Sequence, residues 1–303
     1  MIHLKINVIM RKESFEAAQE LIKDNLYSDN IKAYTTYDIK NIFSLNRSDW
    51  KIAGYRTPDQ FMSFLENKNI IKILKLKHQS TGSIKKILTE PDATKQNIAL
   101  TIKKDGYLSN YSSMQIHQLT LQIPKSLYIS FNKGLDTKDI KKSENEITQE
   151  NIDIAFSKPQ RITSEVYKSE LDNTRFYFIQ KAHKEKNIGI LSNDNYSYTD
   201  LERTLIDIAV RPAYSGGVFE VLNAFEIAKE NVDINKLNTY LLELDYKYPY
   251  HQVIGFYMSK AGYTDEKISL FSNYLSKYDF YLTYNISNKE FDSKWKIYYP
   301  KGF

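Results

Sequence analysis

The sequence predicts an α+β protein: an N-terminal winged helix-turn-helix followed by a mixed α/β domain with strands first and a C-terminal helical portion. Three helix patterns precede two lysine-rich strand patterns within residues 1–90, and later strand patterns precede a run of amphipathic helices. A chain of 303 residues exceeds one average domain, and Glu90-Pro91-Asp92 interrupts the patterns. We therefore expect domains at residues 1–90 and 93–303.

Two helices are predicted near the N-terminus. Residues 14–26 place Phe15 and Ile22 on one helical face, and residues 37–43 follow a Thr-Thr pair that can cap a helix. The next segment, residues 46–56, is long for the turn of a helix-turn-helix. Either an extra helical turn lies within it, or the recognition helix begins there.

The recognition helix is expected to begin at Thr57. Thr57 as the N-cap, Pro58 at the first helical position and Gln60 three residues after the cap are three start signals. A strand over residues 70–77 and a return strand over residues 84–88 follow. In a winged helix, such a third helix enters the major groove and the hairpin contacts flanking phosphates.

Positive charge is concentrated in this region. From Arg47 to Lys86 there are nine basic and three acidic residues, a net of +6, whereas the whole chain carries +5 and the remainder therefore −1. Such clustering is typical of proteins that bind a polyanion. Arginine can pair with guanine and glutamine with adenine, whereas lysines on the hairpin would bind phosphates. The predicted DNA-binding residues are Arg47, Lys51, Arg56, Gln60, Lys72, Lys75 and Lys77.

The second domain is predicted to place strands before helices. Ser112 and Gln115 have capping-box spacing, which predicts the start of a short helix. Residues 132–151 are polar and charged and are expected to form an exposed excursion. Strands are expected at residues 126–131, 152–156, 161–166, 174–180, 187–191 and 295–298, and helices at residues 216–229, 235–244, 250–260 and 265–275.

A further helix start is predicted at Thr199. Thr199 and Glu202 have capping-box spacing, and apolar residues recur at helical spacing after them. Pro212 and the Gly216-Gly217 pair are expected to end this helix and redirect the chain.

The segment Thr199-Asp-Leu-Glu-Arg-Thr-Leu-Ile-Asp207 resembles the signature of the AbiEi family of antitoxins. In that family a helix with the pattern T-D-x-E-R-T-x-x-D is followed by a Gly-Gly step and more helices. Gly106-Tyr-Leu-Ser109, the segment 113–120 and the segment 123–130 are similar to other family segments in the same order. The first domain is similar mainly in architecture. The residues that carry the resemblance are Tyr107, Ser109, His117, Thr199, Asp200, Glu202, Arg203, Asp207, Arg211, Gly216 and Gly217.

The resemblance implies a non-enzymatic antitoxin of a phage-defence module. Such a protein neutralises a nucleotidyltransferase-like toxin and represses its own operon through the winged helix, so operator DNA and the toxin are the implied partners. Direct contact with the toxin stays open.

Two interpretations of the signature are open. Asp200, Glu202, Arg203 and Asp207 either form a surface for the toxin, or they specify the fold through capping and a surface Arg203–Asp207 ion pair. Arg211 is better placed for recognition, since it follows the helix and precedes a Gly-Gly turn.

Several other classes are excluded or disfavoured by composition. The chain has no cysteine, which excludes disulfides, thiolate catalysis and cysteine-based zinc sites. No two of the five histidines lie within four residues of each other, so no metal or other cofactor is expected. No apolar run approaches the ~18–20 residues of a membrane span, and the first ten residues lack a signal-peptide pattern, so we expect a cytoplasmic protein without a membrane partner.

Two alternative functions remain. The first is a stand-alone winged-helix regulator whose second domain senses a ligand, which a neighbouring nucleotidyltransferase gene would argue against. The second is a metal-dependent nuclease that uses the closely spaced Glu243, Asp245 and Lys247. Magnesium-dependent cleavage abolished by Asp245→Ala would support it. The chain is not expected to be the nucleotidyltransferase itself, because no Asp-x-Asp follows Gly82-Ser83.

Overall fold

A computed structural model shows the residues divided between two compact units. The described residues are 14–28, 31–132, 147–182, 185 and 188–303. The first unit comprises the described residues up to Leu76 together with Ile84–Ile102, and the second comprises Lys77–Ser83 and Lys103–Phe303. The chain mixes helices and strands and has a helical portion towards its C-terminus, so the predicted α+β class is confirmed at that level.

The first unit alternates helices with short strands. Its helices are α1 (Ser14–Ala17), α2 (Gln19–Tyr27), α3 (Thr36–Asn46), α4 (Pro58–Asn67) and α5 (Lys95–Ile102). Its strands are β1 (Ala33–Thr35), β2 (Lys72–His78, whose last two residues belong to the second unit) and β3 (Ile84–Thr89). Strand β3 lies between β1 and β2 and is antiparallel to β1.

Helix α4 begins where the sequence predicts. The Thr57 side chain accepts a hydrogen bond from the Gln60 N–H at 3.2 Å, and Gln60 Oε1 accepts one from the Thr57 N–H at 3.1 Å. Pro58 supplies the fixed φ of the first helical position. Residues 47–56 form turns, and α4 is the helix that follows them.

An aromatic cluster forms the core of the first unit. The Phe15 ring stacks on Phe64 at 5.3 Å between centroids, and the Phe61 ring contacts Phe43 at 5.1 Å and Trp50 at 5.4 Å. These five side chains come from α1, α3, α4 and the turn segment between α3 and α4, and all five are buried. The core therefore fixes one face of α4 and leaves its opposite face exposed.

The second unit combines a mixed sheet with a helical portion. Its helices are α6 (Tyr111–Ile116), α7 (Gln149–Phe156), α8 (Leu201–Val210), α9 (Val218–Ala228), α10 (Ile234–Leu244), α11 (Tyr250–Lys260) and α12 (Asp265–Ser272). Its strands are β4 (Tyr107–Leu108), β5 (Ser126–Asn132), β6 (Val166–Ser169), β7 (Arg175–Lys181), β8 (Ile190–Ser192), β9 (Ser197–Thr199), β10 (Phe280–Tyr281), β11 (Lys289–Asp292) and β12 (Ile297–Pro300).

The strands of the second unit form two arrays among the described residues. In the first array the order is β6-β7-β5-β4-β9-β8, with β5 parallel to β7 and β4 parallel to β9. In the second array β12 lies between β10 and β11. Helix α8 is surrounded by α9, α10 and α11, and eight of its ten residues are buried. This central position decides the environment of the signature residues.

The predicted strand at residues 152–156 is wrong, because this segment belongs to α7. Ile152, Ile154 and Phe156 alternate as in a strand, but Thr148 caps a helix by accepting a hydrogen bond from the Asn151 N–H. Ile152 and Phe156, four residues apart, are buried, whereas Ile154 is 49% exposed. The cap and helical burial therefore outweigh the strand-like alternation.

The helix cap predicted at Ser112 is also wrong. Helix α6 has Asn110 at its N-cap, and the Ser112 hydroxyl accepts a hydrogen bond from the Tyr128 N–H at 2.8 Å. The hydroxyl therefore joins α6 to β5 instead of closing a capping box.

Two predicted strands are displaced along the chain. The strand expected at residues 161–166 begins at Val166, and the one expected at residues 295–298 begins at Ile297. At the second position, the Trp295 N–H donates to Asp292 Oδ1 at 2.8 Å in a turn, and Lys296 has a φ of 53°. This turn geometry prevents the strand from starting at the tryptophan.

Three further sequence interpretations fall wholly or partly on residues outside the described ranges. They concern the N-terminal ten residues, most of the excursion at 132–151, and the start of the strand expected at 187–191. No helix of the described residues is both long and apolar enough to cross a bilayer.

Candidate functional site

The sequence singles out two sets of residues, a predicted DNA-binding set that lies mainly in the first unit and a signature set in the second unit. In the first unit, the exposed face of α4 presents Gln60, Ser63 and Asn67, which lie three and four residues apart. Because α4 is anchored by its buried face, the positions of these three residues on its exposed face are fixed relative to the unit.

The two predicted arginines are held against the protein. The Arg56 guanidinium lies 5.3 Å from the Phe15 ring centroid and 5.3 Å from that of Tyr55. Arg47 Nη2 donates to the Ala53 carbonyl at 3.0 Å, and its guanidinium lies 5.4 Å from the Phe43 ring centroid. Both side chains are half-buried, so they pack on the aromatic core and do not extend from the start of α4.

The predicted lysines are exposed. Lys72, Lys75 and Lys77 are exposed along β2, and Lys51 is exposed in the turn segment before α4. The hairpin sequence from residue 72 to residue 86 has five lysines and no acidic residue. The hairpin is therefore the main concentration of exposed positive charge in the predicted set.

The turn of the hairpin belongs to the second unit. His78 is buried there, its ring lies 4.8 Å from that of Tyr167, and its Nε2 lies 3.7 Å from Glu165 Oε1. The Gln79 N–H donates to the Val166 carbonyl at 2.8 Å. The turn is therefore held in place by β6, while Lys77 beside it stays exposed.

Helix α8 is not capped as the sequence predicts. Its N-cap is Asp200, whose Oδ1 accepts a hydrogen bond from the Arg203 N–H at 2.8 Å. Thr199 ends β9, and its hydroxyl pairs with the Thr204 hydroxyl at 2.8 Å. The Glu202 carboxylate points elsewhere, because its Oε1 accepts from the Asp233 N–H at 2.9 Å. The expected Thr199–Glu202 capping box is therefore replaced by an aspartate cap one residue later.

Arg203 and Asp207 form a buried ion pair. Arg203 Nε donates to Asp207 Oδ1 at 3.1 Å, and both side chains have zero exposure. Lys181 Nζ donates to the same oxygen at 2.9 Å, and Arg203 Nη2 donates to Glu185 Oε2 at 2.6 Å. We call these four residues the Arg203 network. The expected surface ion pair is thus wrong, since the pair lies in the interior of the second unit.

The electrostatics of this network favour the ionised carboxylate. Burial raises the pKa of Asp207, but the positive charges of Arg203 and Lys181 outweigh it and hold that pKa below its usual value. Burial also raises the pKa of Tyr107, and the Asp207 charge adds to this effect, so the phenol stays protonated. The network therefore pairs two cations with two anions in the interior.

Two other signature residues are paired at the edge of the network. Asp200 Oδ2 and Glu202 Oε2 lie 2.9 Å and 2.8 Å from Lys236 Nζ on α10, and Tyr240 donates to Asp200 Oδ2 at 2.9 Å. Asp200 and Glu202 are both buried. The four signature residues are therefore internal, which contradicts the interpretation that they form a surface for a toxin.

The signature segment near α6 is part of the same interior. Ser109 and Ser130 join β4 to β5 through their hydroxyls at 2.7 Å, and His117 Nε2 hydrogen-bonds the Thr199 carbonyl at 2.7 Å. Tyr107 is buried on β4. These contacts tie β4, β5 and α6 to the start of α8.

The Gly-Gly step follows a short 3-10 turn at Pro212–Tyr214. Gly216 and Gly217 have φ values of 81° and 92°, in the region that favours glycine. A Cβ at Gly216 would lie 2.9 Å from both Glu220 and Tyr111. Arg211 is half-buried, with its guanidinium 6.0 Å from the Tyr214 ring centroid. The glycines therefore serve the turn and the close packing of α9.

Sequence reasoning missed the partners that complete these contacts. Lys181 and Glu185 precede Arg203 by 22 and 18 residues, and Lys236 and Tyr240 follow on α10. No local spacing signals such pairings. The one available signal is the unusual density of polar residues in a segment that also has helical apolar periodicity.

No protein-family model and no curated protein matches the sequence. Among solved structures, the chain is similar to the crystal structure of the RV2827C protein from Mycobacterium tuberculosis, with a TM-score of 0.57 and 10% identity. The match covers 93% of this chain and 91% of that one. At this level of identity the likeness establishes a shared fold.

Of the three residues of the nuclease alternative, Asp245 lies beside a small cavity. Asp245 ends α10 in a left-handed conformation, and with Tyr246, Tyr248, Tyr250 and His251 it lines a cavity of about 110 Å³. Among the described residues, no group of three or more acidic or histidine side chains is placed to hold a metal ion.

His251 is expected to make the stability of the second unit depend on pH. Burial lowers the pKa of His251 from 6.5 to about 4. Between these two pH values the ring is protonated in the unfolded chain but stays neutral in the folded protein. The stability contribution of the neutral ring is complete above pH 6.5 and is lost as the pH falls towards 4. Urea unfolding at pH 7 and pH 5 should show a smaller decrease for His251→Phe, which keeps the ring contact with Tyr274. Equal decreases in both proteins would contradict this assignment.

Proposed function

We propose that this protein is a non-enzymatic antitoxin of the AbiEi type that also represses its own operon. In this proposal the first unit binds operator DNA as a winged helix-turn-helix, and the second unit suppresses a nucleotidyltransferase-like toxin. The observation that carries the DNA-binding part is a firmly capped helix with an exposed polar face, followed directly by a lysine-rich hairpin.

The element order of the first unit supports this proposal. Helix α2, strand β1, helices α3 and α4 and the β2–β3 strands follow one another in the order of a winged helix. Strand β3 lies between β1 and β2 and pairs with β1, as the wing strand does in that architecture. Helix α4 is then the element expected to enter the major groove.

The distribution of charge supports a nucleic-acid partner. Lys72, Lys75, Lys77 and Lys86 of the hairpin are exposed, whereas two lysines on the helices of the first unit are paired with acids: Lys68 lies 2.8 Å from Glu16 and Lys40 lies 3.6 Å from Asp59. When exposed lysines contact the phosphates of DNA, they displace the counterions condensed on it, and this release favours binding.

The antitoxin part of the proposal is supported by the resemblance between the 199–207 segment of the second unit and the AbiEi signature. The signature residues join α8 to β7 through buried ion pairs and to α10 through the half-exposed Lys236. We therefore assign the signature to the scaffold, and we place any toxin-contacting surface on residues outside it.

A ligand-sensing regulator is the second candidate function. The cavity beside Asp245 is the observation that favours it, because tyrosine, histidine and leucine side chains and one carboxylate line it, and its volume of about 110 Å³ limits a ligand to a few non-hydrogen atoms. Thermal unfolding shifts in the presence of small cations or metabolites would support this candidate.

Reversing charge on β2 should weaken operator binding. In Lys75→Glu/Lys77→Glu, two exposed cations on the same side of the strand become anions, so we expect at least a tenfold loss of affinity for the upstream DNA at about 100 mM salt. The slope of log affinity against log salt should fall by about 2. Fluorescence anisotropy with labelled duplex at several salt concentrations measures both quantities.

A variant with the same change in net charge serves as the control. Lys158→Glu/Lys301→Glu reverses two exposed lysines of the second unit and should retain the salt slope and most of the affinity. If both double variants lost affinity equally, the effect would be one of net charge, and the hairpin would not be the phosphate-binding element.

A further inference from the structure

The exposed face of α4 consists of acidic, amide and hydroxyl side chains, and this composition bears on which base pairs it can contact. The ten residues of α4 include no lysine or arginine, and its exposed positions are Asp59, Gln60, Ser63, Glu66 and Asn67. Because the helix itself supplies no cation and Lys40 of α3 is paired with Asp59, this face gains little from phosphates, and Glu66 opposes them. Whatever it recognises in DNA must be read through base edges.

The arginine expected to recognise guanine is directed elsewhere. Arg56 precedes the N-cap, and its guanidinium packs against the rings of Phe15 and Tyr55. Leaving this position would expose the aromatic core and give up two cation–π contacts. Bidentate pairing of arginine with guanine O6 and N7 is therefore not available from the start of α4 in this conformation.

Two amide side chains remain on the face. Asparagine and glutamine pair with adenine by donating to N7 and accepting from the N6 amino group. Gln60 Oε1 accepts from the Thr57 N–H, which fixes the amide and leaves its Nε2 group free to donate. Asn67 is exposed at the last position of the helix. The Ser63 hydroxyl between them donates to the Asp59 carbonyl, so it acts on DNA as an acceptor.

We propose that α4 reads A·T base pairs, with Gln60 and Asn67 each contacting an adenine in the major groove. This inference rests on the proposed DNA-binding function of the first unit. Seven residues of α-helix span about 10 Å, and base pairs stack about 3.4 Å apart, so the two adenines lie about three base pairs apart when the helix follows the groove.

The test uses the full-length protein and a duplex library with a randomised core. Selected duplexes should contain two adenines about three base pairs apart. Replacing these adenines with 7-deazaadenine removes N7 and should weaken binding about 5- to 100-fold per position, whereas 7-deazaguanine elsewhere should have no effect.

Two variants test which side chain recognises each of the two adenines. Gln60→Glu keeps the acceptor that caps α4 but removes the amide donor, so it should relax the preference at one adenine position. Asn67→Ala should relax the preference at the other. The control variant Lys75→Gln should weaken binding to all selected duplexes equally and leave the selected sequence unchanged.

The outcomes separate this inference from the function on which it rests. A guanine-dominated site whose preference is lost in Arg56→Lys would overturn adenine reading while leaving DNA binding intact. Binding without any sequence preference would overturn it in the same way. Absence of duplex binding at low salt would remove both the inference and the proposed function.

Discussion

Replacing Arg203 with methionine should lower the free energy of unfolding of the second unit by about 3–5 kcal/mol. The variant keeps much of the apolar volume but leaves Asp207 and Glu185 in the interior with Lys181 as the remaining cation of the network. It also removes the donor to the Ile188 carbonyl. Urea unfolding followed by far-UV circular dichroism measures the change.

Two further variants test whether the loss of stability comes from the broken ion pair. Arg175→Met removes an exposed arginine from the same unit and should change stability by less than about 0.5 kcal/mol. Arg203→Met/Asp207→Leu removes both charges of the central pair, leaves Lys181 with Glu185, and should be more stable than Arg203→Met alone. If Arg203→Met behaved like Arg175→Met, the network would not stabilise the fold.

Replacing Gly255 with alanine should destabilise the second unit by about 3 kcal/mol, although alanine ordinarily favours a helix over glycine by about 1 kcal/mol. A Cβ at this position of α11 would lie 2.1 Å from Cζ3 and 2.2 Å from Cη2 of Trp295. The indole cannot move away readily, because Trp295 is 1% exposed and its carbonyl accepts a hydrogen bond from Gln252 Nε2 at 3.0 Å.

The alanine substitution has a matched control and a compensating partner. Gly54→Ala makes the same chemical change where no atom lies within 4 Å of the added Cβ, and it should be nearly neutral. In a Trp295→Phe background, the cost of Gly255→Ala should shrink because the indole atoms it meets are absent. An equal cost in both backgrounds would mean that the clash with Trp295 is not the cause.

The elements that the sequence specifies locally could be predicted. The start of α4 follows from Thr57, Pro58 and Gln60, whose chemistry operates within four residues. Helix α11 matches the predicted range 250–260 because its apolar residues recur at helical spacing. In such segments, capping and periodicity agree with the packing of the folded chain.

The elements that depend on distant partners could not be predicted. An arginine and an aspartate four residues apart have the same spacing on a surface as in an interior. The partners that accompany the buried pair, Lys181 and Glu185, lie about 20 residues earlier in the sequence, so the spacing alone does not reveal the burial of Arg203. The position of Arg56 likewise depends on Phe15, which lies 41 residues earlier. Local sequence therefore identified the signature and the basic region but could not tell which polar side chains were available to a partner.

Growth rescue by Lys75→Glu/Lys77→Glu, co-expressed with the product of the neighbouring gene, tests the division of labour most directly. We expect this variant to protect cells as well as the wild-type protein does while its binding to the upstream DNA is lost. Loss of protection with DNA binding retained would contradict it, because the hairpin lysines would then serve the protective task and not the operator.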